Sequence, residues 1–245
     1  MKGNIIVGQS GGPTSVINSS LAGVYKTAKD RGVAKVFGMR NGIQGFLDER
    51  YVDLSNYIKN DLDIELLKRT PSAFLGACRY KLPEIHKDKE LYEKIFEILN
   101  RLEIKYFIYI GGNDSMDTIK KLSDYAIVTG QTQRFIGVPK TIDNDLALTD
   151  HTPGYGSAAK YIGTVTKEVI RDSMGLIYDK GLVTVIEIMG RNAGWLTGAS
   201  ALAAGEDCDG PDLIYLPEVT FDVNKFLEKV GKLLGKKKSV VVAVS

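Results

Sequence analysis

Short apolar runs alternate along the chain with segments whose apolar residues recur at helical spacing. The segment 89–103 has the second pattern, since one helical face would carry Leu91, Ile95, Ile98, Leu99 and Leu102. Runs of the first kind predict strands at residues 4–8, 35–39, 106–110, 135–138, 182–188, 213–216 and 239–244. Helices are predicted at residues 14–31, 89–103, 115–122, 155–174, 193–204 and 224–235. This alternation indicates an α/β fold in which helices cover parallel sheets.

The alternation restarts after Pro153, which predicts two α/β units in succession. We expect the first unit to span residues 1–152 and the second to span residues 153–245. The last predicted strand ends immediately before the final residue, Ser245. Because ligand-binding loops follow the carboxyl ends of parallel strands, we expect the second unit to be incomplete.

The composition is that of an ordinary globular protein and disfavours several functional classes. Of the 245 residues, 44% are hydrophobic and 25% are charged, and the formal net charge is +2. This balance provides no long-range field for nucleic acid or an anionic membrane, and the lysine cluster 236–238 is interpreted as a solvated helix end. No apolar run reaches the roughly 18 residues of a membrane span, and the run that starts at residue 4 is too short for a signal peptide. Two isolated cysteines, Cys78 and Cys208, fit a reducing, cytoplasmic setting rather than a disulfide or zinc site.

A glycine-rich segment, GQSGGPTS at residues 8–15, links the first predicted strand to the first predicted helix. Its glycines allow the backbone to approach an anion closely, and the amino terminus of the helix adds free N–H groups. A tight turn without a ligand is the alternative interpretation. The chain contains neither a P-loop motif nor a GxGxxG dinucleotide-binding motif.

A second glycine pair, Gly111-Gly112, follows the strand predicted at residues 106–110 and precedes Asn113, Asp114 and Ser115. Glycines in this position favour a second phosphate-binding turn. Considered alone, however, Asp114 or Ser115 is more simply interpreted as the cap of the following helix.

The segment PKTIDND, residues 139–145, combines a lysine, a threonine and two carboxylates in one loop. Asp143 could accept the proton of an attacking hydroxyl group. Asp145 could hold a metal ion or orient the first carboxylate, and Lys140 could neutralise phosphate charge. A plain loop would also use these residue types, but packing explains the paired carboxylates poorly.

A fourth segment, MGRNAGW at residues 189–195, follows the strand predicted at residues 182–188. Arg191 at a strand end could bind a phosphate through two parallel hydrogen bonds. The alternative is a surface arginine beside a buried Trp195. Together, the four segments place two phosphate-binding turns, an acid–base loop and an arginine at the ligand-binding edge, which indicates phosphoryl transfer.

Five segments resemble those of the phosphofructokinase family in sequence, order and approximate spacing. They are SGGPTSVIN, FLGACRY, GGNDS, PKTIDND and EIMGRNAGW, and the similarity extends from about residue 4 to the end of the chain. The resemblance implies two Rossmann-like parallel-sheet units, Mg2+ as a cofactor, and assembly as a homodimer or homotetramer. It also implies transfer of a phosphoryl group to the 1-hydroxyl of fructose 6-phosphate.

The same resemblance implies roles for individual residues. Asp143 resembles the base that deprotonates the sugar hydroxyl, Thr141 resembles a phosphate contact, and Asp145 resembles a support for metal and base. Contacts to the phosphoryl donor are implied for Gly12, Arg79, Gly112, Asp114 and Lys140, and contacts to fructose 6-phosphate for Thr141, Asp143, Met189, Gly190 and Arg191.

Two positions indicate that pyrophosphate rather than ATP is the donor. ATP-using family members carry glycine where this chain has Asp114, and a carboxylate there would repel the α-phosphate of a nucleotide. Common bacterial ATP-using members also carry glycine where this chain has Lys140, which could bind the terminal phosphate of pyrophosphate. The combination resembles the pyrophosphate-dependent branch; lysine alone would be a weak sign, because some ATP-using branches carry it.

The chain departs from the family pattern in three ways. Asn113 stands where the family usually has a magnesium-associated aspartate; an amide oxygen can bind Mg2+ but adds no negative charge. Leu182 stands at about the position of an arginine that many bacterial ATP enzymes supply to a neighbouring subunit. Family members also continue further, with additional segments of the sugar site.

The sequence therefore predicts a pyrophosphate-dependent phosphofructokinase, or a fragment of one, with an incomplete sugar site. One alternative is an ATP-dependent phosphofructokinase, and another is a non-catalytic phosphate-binding subunit. A more distant relative of the NAD-kinase type is disfavoured by the TIDND and MGR segments.

Overall fold

The computed structural model describes residues 3–12, 14, 16–176 and 179–245. Residues 1 and 2, which bear on the signal-peptide prediction, lie outside the described residues, as do Pro13 and Ser15 of the first glycine-rich segment.

The chain forms two compact units, Met1–Lys140 and Thr141–Ser245. The boundary lies earlier than the expected position after residue 152. The physical reason is that the loop following Lys140 packs with the second unit, where Ile142 contacts the apolar cluster around Ile188.

The first unit contains a five-stranded sheet in the order β3-β2-β1-β4-β5. Its strands are β1 (Asn4–Gln9), β2 (Val36–Met39), β3 (Tyr51–Asp53), β4 (Ile104–Gly111) and β5 (Arg134–Pro139). β1 pairs in parallel with β2 and β4, and β4 pairs in parallel with β5, whereas β3 is antiparallel to β2. The carboxyl ends of β1, β4 and β5 therefore meet at one edge of the sheet, which is where ligands bind in folds of this class.

Helices cover both faces of this sheet. They are α1 (Ile17–Asp30), α2 (Gly42–Leu47), α3 (Asp61–Arg69), α4 (Lys89–Arg101) and α5 (Asn113–Thr129), with a 3-10 helix at Leu54–Asn56. Neighbouring residues of β1 point to opposite faces, as strand geometry requires. Ile6 lies in one apolar cluster, with residues of α4 and α5, and Val7 lies in the other, with residues of α1 and α3.

The second unit contains a parallel three-stranded sheet in the order β6-β8-β7. The strands are β6 (Leu182–Glu187), β7 (Leu213–Tyr215) and β8 (Ser239–Val244), and the helices are α6 (Tyr155–Gly175), α7 (Trp195–Gly198), a 3-10 helix (Ala199–Ala203) and α8 (Val223–Leu234). Val241 of the central strand packs against Ile170 of α6. On the other face of the edge strand β6, Val183 is 37% exposed and Val185 is 55% exposed.

The predicted α/β fold with parallel sheets is confirmed. The structure adds α2, β3 and α3 between residues 42 and 69, where the sequence predicted no element. The single helix predicted at residues 193–204 is instead a short α-helix followed by a 3-10 helix. Helix 115–122 was predicted too short, since α5 begins at Asn113 and ends at Thr129.

Candidate functional site

Buried amide side chains fix the first glycine-rich turn. Gln9, at the end of β1, is fully buried and donates hydrogen bonds to the carbonyl of Ile17 (3.1 Å) and to Asn18 Oδ1 (2.8 Å). Its own Oε1 accepts the N–H of Leu75 at 2.9 Å. Sequence reasoning missed Gln9 and Asn18, although a glutamine at the end of an apolar strand was a usable signal. Gln9 therefore ties the end of β1 to the start of α1 and to the segment at Leu75.

The helix after this turn starts later than predicted. α1 begins at Ile17, and its N-cap, Val16, makes no side-chain capping hydrogen bond. The predicted start at about residue 14 is therefore wrong by three residues, and the N–H of Ile17 donates to the Thr14 carbonyl at 3.2 Å.

The second glycine turn leads directly into α5. Gly112 is the N-cap of this helix and no side chain caps it, so the interpretation of Asp114 or Ser115 as the cap is wrong. Asp114 lies exposed in the first helical turn, where the helix dipole favours a negative charge. Ser115 is buried against Gly111, whose missing Cβ would lie 1.9 Å from Ser115 Oγ. The first glycine of the pair is therefore required by packing.

Two cationic side chains lie next to the first glycine turn. Lys140 follows β5, is 7% exposed, and donates its backbone N–H to the Gly111 carbonyl at 3.0 Å. Its Nζ lies 3.4 Å from the position that a Cβ on Gly11 would occupy. Arg79 is exposed, and its Nη2 lies 3.9 Å from the corresponding position on Gly12. The structure thus brings Lys140 and Arg79, two of the residues proposed to bind the phosphoryl donor, next to the Gly11-Gly12 turn within the first unit.

Gly11 itself has a φ of 76°, a left-handed conformation that glycine adopts without strain. Gly112 is less constrained by packing, since a Cβ there would lie 3.5 Å from the carbonyl oxygen of Lys140, at ordinary contact distance. The Gly11-Gly12 turn therefore presents backbone without side chains to Lys140 and Arg79.

The segment that carries Arg79 is anchored to the turn by its neighbour Cys78. The N–H of Gly11 donates to the Cys78 carbonyl at 3.1 Å, and Cys78 Sγ lies 3.9 Å from Tyr109 Oη. Tyr109 Oη accepts the N–H of Ile43 at 3.1 Å, and burial raises the pKa of this phenol. Cys78 is therefore part of the scaffold that holds the turn.

The loop with the two candidate carboxylates is organised by Asn144. This residue is 5% exposed and has a left-handed φ of 57°. Its Nδ2 donates to the Asp150 carbonyl at 3.0 Å, and its Oδ1 accepts the N–H of Thr152 at 2.8 Å. Asp143 and Asp145 flank it and are each half-buried. Sequence reasoning named the carboxylates but missed the asparagine between them.

Thr141 is also part of this loop and is 8% exposed. Its Oγ1 accepts the N–H of Asp143 at 3.1 Å, and its carbonyl accepts the hydroxyl of Thr152 at 2.5 Å. Because Oγ1 acts as an acceptor in the first bond, its hydroxyl hydrogen remains available for donation to a further group. The candidate phosphate contact and the candidate base are thus fixed to each other within one turn.

The MGR segment forms a tight turn after β6. Gly190 is buried with a φ of 146°, and a Cβ there would lie 2.5 Å from the Ala193 carbonyl oxygen. Met189 is 66% exposed and Arg191 is exposed, so both side chains are accessible to a ligand. The alternative of an arginine beside a buried tryptophan is wrong in its second part, because Trp195 is 56% exposed.

The candidate metal ligands supply oxygen atoms from two different segments. Asn113 is exposed at the start of α5, and Asp145 is half-buried in the carboxylate loop. Within the described residues, no group of three or more histidine, cysteine, aspartate or glutamate side chains is placed to hold a metal ion.

Of the helices in the described ranges, none is both long and apolar enough to cross a membrane.

Comparison with known proteins identifies the family. The phosphofructokinase family model matches residues 4–245. The chain belongs to the phosphofructokinase family. It is 43% identical over 243 residues to the pyrophosphate–fructose 6-phosphate 1-phosphotransferase of Xanthomonas campestris pv. campestris. An ATP-dependent 6-phosphofructokinase, from Edwardsiella ictaluri, is 33% identical over 236 residues.

A crystal structure of a related protein has the same fold over nearly the whole of this chain. A pyrophosphate-dependent phosphofructokinase from Nitrosospira multiformis aligns with a TM-score of 0.89 at 40% identity, covering 99% of this phosphofructokinase chain. The alignment covers 60% of that protein's chain, and the match to the Xanthomonas protein covers 99% of this chain and 57% of its relative. The chain therefore spans somewhat less than two thirds of the length of these relatives.

Proposed function

We propose that this chain provides the donor site, and part of the sugar-phosphate site, of a pyrophosphate–fructose 6-phosphate 1-phosphotransferase. The reaction moves a phosphoryl group from pyrophosphate to the 1-hydroxyl of fructose 6-phosphate, gives fructose 1,6-bisphosphate and phosphate, and is reversible. The observation that carries the proposal is the approach of Lys140 and Arg79 to the Gly11-Gly12 turn. We assign donor binding to the first unit, Met1–Lys140, and sugar binding to the second unit, Thr141–Ser245.

A compact, highly charged donor suits this arrangement. Glycines without side chains allow an anion to lie against the backbone, and two cations from separate segments would neutralise charge on both of its phosphate groups. Lys140, being buried, would act in surroundings that screen its charge less than water does. Pyrophosphate offers the required charge density in a small volume.

Asp114 supports pyrophosphate rather than ATP as the donor. Its carboxylate lies exposed at the start of α5, beside the second glycine turn. A nucleotide would bring a further phosphate group to this region, where the carboxylate of Asp114 would repel it. The higher identity to the pyrophosphate-dependent relative than to the ATP-dependent one favours the same choice.

Asp143 is proposed as the general base. It takes the proton of the sugar 1-hydroxyl while that oxygen attacks phosphorus, and the bond from phosphorus to the bridging oxygen of pyrophosphate breaks. The departing phosphate leaves with the electron pair of that bond. The Thr141 hydroxyl, held by the N–H of Asp143, would donate its hydrogen to an oxygen of the transferred group.

The donor set fits magnesium bound together with pyrophosphate. Mg2+ keeps several waters and is usually held by one or two carboxylates plus substrate phosphates, so it needs no preformed cluster of acidic side chains. Asn113 and Asp145 would hold it through an amide oxygen and a carboxylate oxygen. When bound, the ion would neutralise charge that develops on the phosphate oxygens.

Fructose 6-phosphate is proposed to contact the turn that follows β6. The exposed guanidinium of Arg191 would bind the phosphate through paired hydrogen bonds, and the exposed Met189 would contact the sugar. Gly190, between these two residues, has a φ of 146°, which glycine adopts without strain. A cytoplasmic location and assembly as a homodimer or homotetramer belong to the same proposal, with no nucleic acid or membrane partner.

The test is calorimetric titration of the purified chain with pyrophosphate in the presence of Mg2+, together with an assay of fructose 1,6-bisphosphate formation. We expect pyrophosphate binding that Arg79→Ala weakens by about 10–100-fold, the usual contribution of a charged hydrogen bond. Arg69→Ala, at the exposed end of α3, is the matched control and should bind normally. Binding without turnover would support a non-catalytic phosphate-binding chain, whereas no pyrophosphate binding at all would refute the proposal.

A further inference from the structure

A charged lysine is buried outside the proposed donor contacts. Lys121 lies on α5, two turns after Asp114, and is only 7% exposed. Lysine is almost never buried to this extent unless its charge is paired. Its position is therefore one that the surrounding structure must stabilise specifically.

Three acceptors surround the ammonium group of Lys121. Its Nζ donates to the Leu82 carbonyl at 2.9 Å and lies 2.9 Å from Glu84 Oε1 and 2.8 Å from Asp117 Oδ2. An ammonium group has three hydrogens, so each can be donated. Hydrogen bonds to Asp117 and Glu84 raise the pKa of Lys121, and the same lysine lowers the pKa of Glu84. The group is charged throughout the physiological pH range.

Two of these acceptors belong to the segment that carries Arg79. Leu82 comes three residues after Arg79, and its side chain is 1% exposed. On the other side of Arg79, the Cys78 carbonyl is fixed by the N–H of Gly11 at 3.1 Å. Arg79 is thus exposed between two anchored positions, one at the glycine turn and one at Lys121.

The helix that carries Lys121 also begins at the second glycine turn, with Asn113 and Asp114 in its first turn. Lys121 therefore connects the segment of Arg79 to the helix whose start belongs to the proposed donor site. A hydrogen bond from Tyr92 to the Pro83 carbonyl, at 2.6 Å, secures the same segment independently. Loss of Lys121 would leave the segment attached through the Tyr92 hydrogen bond but would allow Arg79 a wider range of positions.

We propose that Lys121 is a positioning residue that fixes Arg79 for pyrophosphate binding. The inference rests on the proposed function, because it assigns Lys121 a role through the donor site. A purely structural buried ion cluster is the competing explanation, and the two differ in one measurable respect. If Lys121 acts through Arg79, its removal has no further effect on binding once Arg79 has been removed.

The experiment compares pyrophosphate affinity, with Mg2+ present, for the full chain and for Lys121→Met, Arg79→Ala and the double variant. We expect Lys121→Met to weaken binding about tenfold, since a misplaced contact loses much of its value. The double variant should match Arg79→Ala within about twofold, the usual error of additivity. Lys120→Met is the matched control, because this neighbour is exposed and pairs with Asp124 on the helix surface.

Limited trypsin digestion tests the anchoring without any ligand. Arg79 and Lys81 are both exposed, and we expect Lys121→Met, but not Lys120→Met, to speed cleavage after them several-fold, since local opening governs proteolysis.

If the unmodified chain does not bind pyrophosphate, the proposed function fails, while the digestion still shows whether Lys121 holds the segment that carries Arg79. Unchanged affinity in Lys121→Met, or an equal loss in the presence and absence of Arg79, would overturn the inference. If Lys121→Met does not fold, Glu84→Gln is used in its place. Unchanged cleavage after Arg79 in Glu84→Gln would then contradict the proposal that Lys121 fixes the segment.

Discussion

Asn144 Oδ1 accepts the backbone N–H of Thr152 at 2.8 Å and so closes the loop that holds Asp143 and Asp145. The asparagine combines this bond with a second one, to the Asp150 carbonyl, and with a left-handed backbone conformation. The geometry of both carboxylates therefore depends on a buried side chain that takes no part in the proposed chemistry.

The first prediction separates these two contributions of Asn144. Asn144→Ala should lower the free energy of unfolding by about 2–4 kcal/mol, because it leaves buried groups unpaired and strains the backbone. Asn144→Gly removes the same hydrogen bonds but tolerates the left-handed φ, so it should be less destabilising by about 1 kcal/mol. Urea denaturation measures both. Equal stabilities of the two variants would show that backbone strain contributes nothing at this position.

The second prediction concerns the paired glycines before α5. Gly111→Ala should destabilise the first unit by about 1–3 kcal/mol, because the new Cβ would lie 1.9 Å from Ser115 Oγ and force it to move. Gly112→Ala is the control, since its Cβ would lie at an ordinary 3.5 Å from the nearest atom. Thermal denaturation of the two variants should give clearly different midpoints, and the account of the packing is wrong if they coincide.

The third prediction tests the proposed base. Asp143→Asn keeps the shape of the side chain but removes its ability to take a proton, so the turnover number should fall by about two to four decades. Pyrophosphate affinity should change little, because the donor contacts lie elsewhere in the proposal. Steady-state assays with a parallel calorimetric titration distinguish the two effects. A near-normal turnover number would exclude Asp143 as the base.

The fourth prediction tests donor choice. Asp114→Gly removes a like charge and should increase ATP-dependent phosphorylation of fructose 6-phosphate by about tenfold, a change that corresponds to ~1.4 kcal/mol. The control is Asp124→Ala, which removes a distant charge from the same helix, α5. Alanine is used there because glycine within the helix would weaken it. If neither donor's rate changes in Asp114→Gly, the explanation of pyrophosphate preference is wrong.

The fifth prediction follows from a buried phenol. Burial raises the pKa of Tyr92 from 10.0 to about 12 in the folded chain. The neutral phenol therefore stabilises the fold fully below pH 10, and this contribution is lost as the pH rises towards 12. Unfolding followed against pH should show a loss of stability in that window. Tyr92→Phe should be less stable at neutral pH, because the bond to Pro83 is lost, but should show a smaller alkaline decline.

Much of the fold could be predicted from local pattern. β8 occupies the predicted residues because its run of valines is apolar throughout and ends at clear boundaries. α4 carries one continuous apolar face and begins at the predicted residue, Lys89. The segment 42–69 escaped prediction because its elements are short, and β3 forms only by antiparallel pairing with β2.

Part of the candidate site could likewise be predicted from the sequence, and part could not. Glycines, carboxylates and cations were visible in the sequence because they recur directly after predicted strands, at the edge where ligands bind in parallel sheets. Lys121 was not, since a lysine four residues after Asp117 resembles an ordinary surface ion pair. Its burial arises from contacts with Leu82 and Glu84, which lie far away in sequence. Long-range packing of this kind leaves no local pattern.

The exposed valines of β6 have a consequence for handling the protein in solution. Among the described strands, β6 pairs with β8 alone, so its outer backbone edge carries N–H and carbonyl groups open to another strand. Val183 and Val185 place apolar side chains along that edge, where no lysine or proline interrupts the strand. A strand edge of this composition is a template for strand addition, so we expect this chain to self-associate through β6 as its concentration rises.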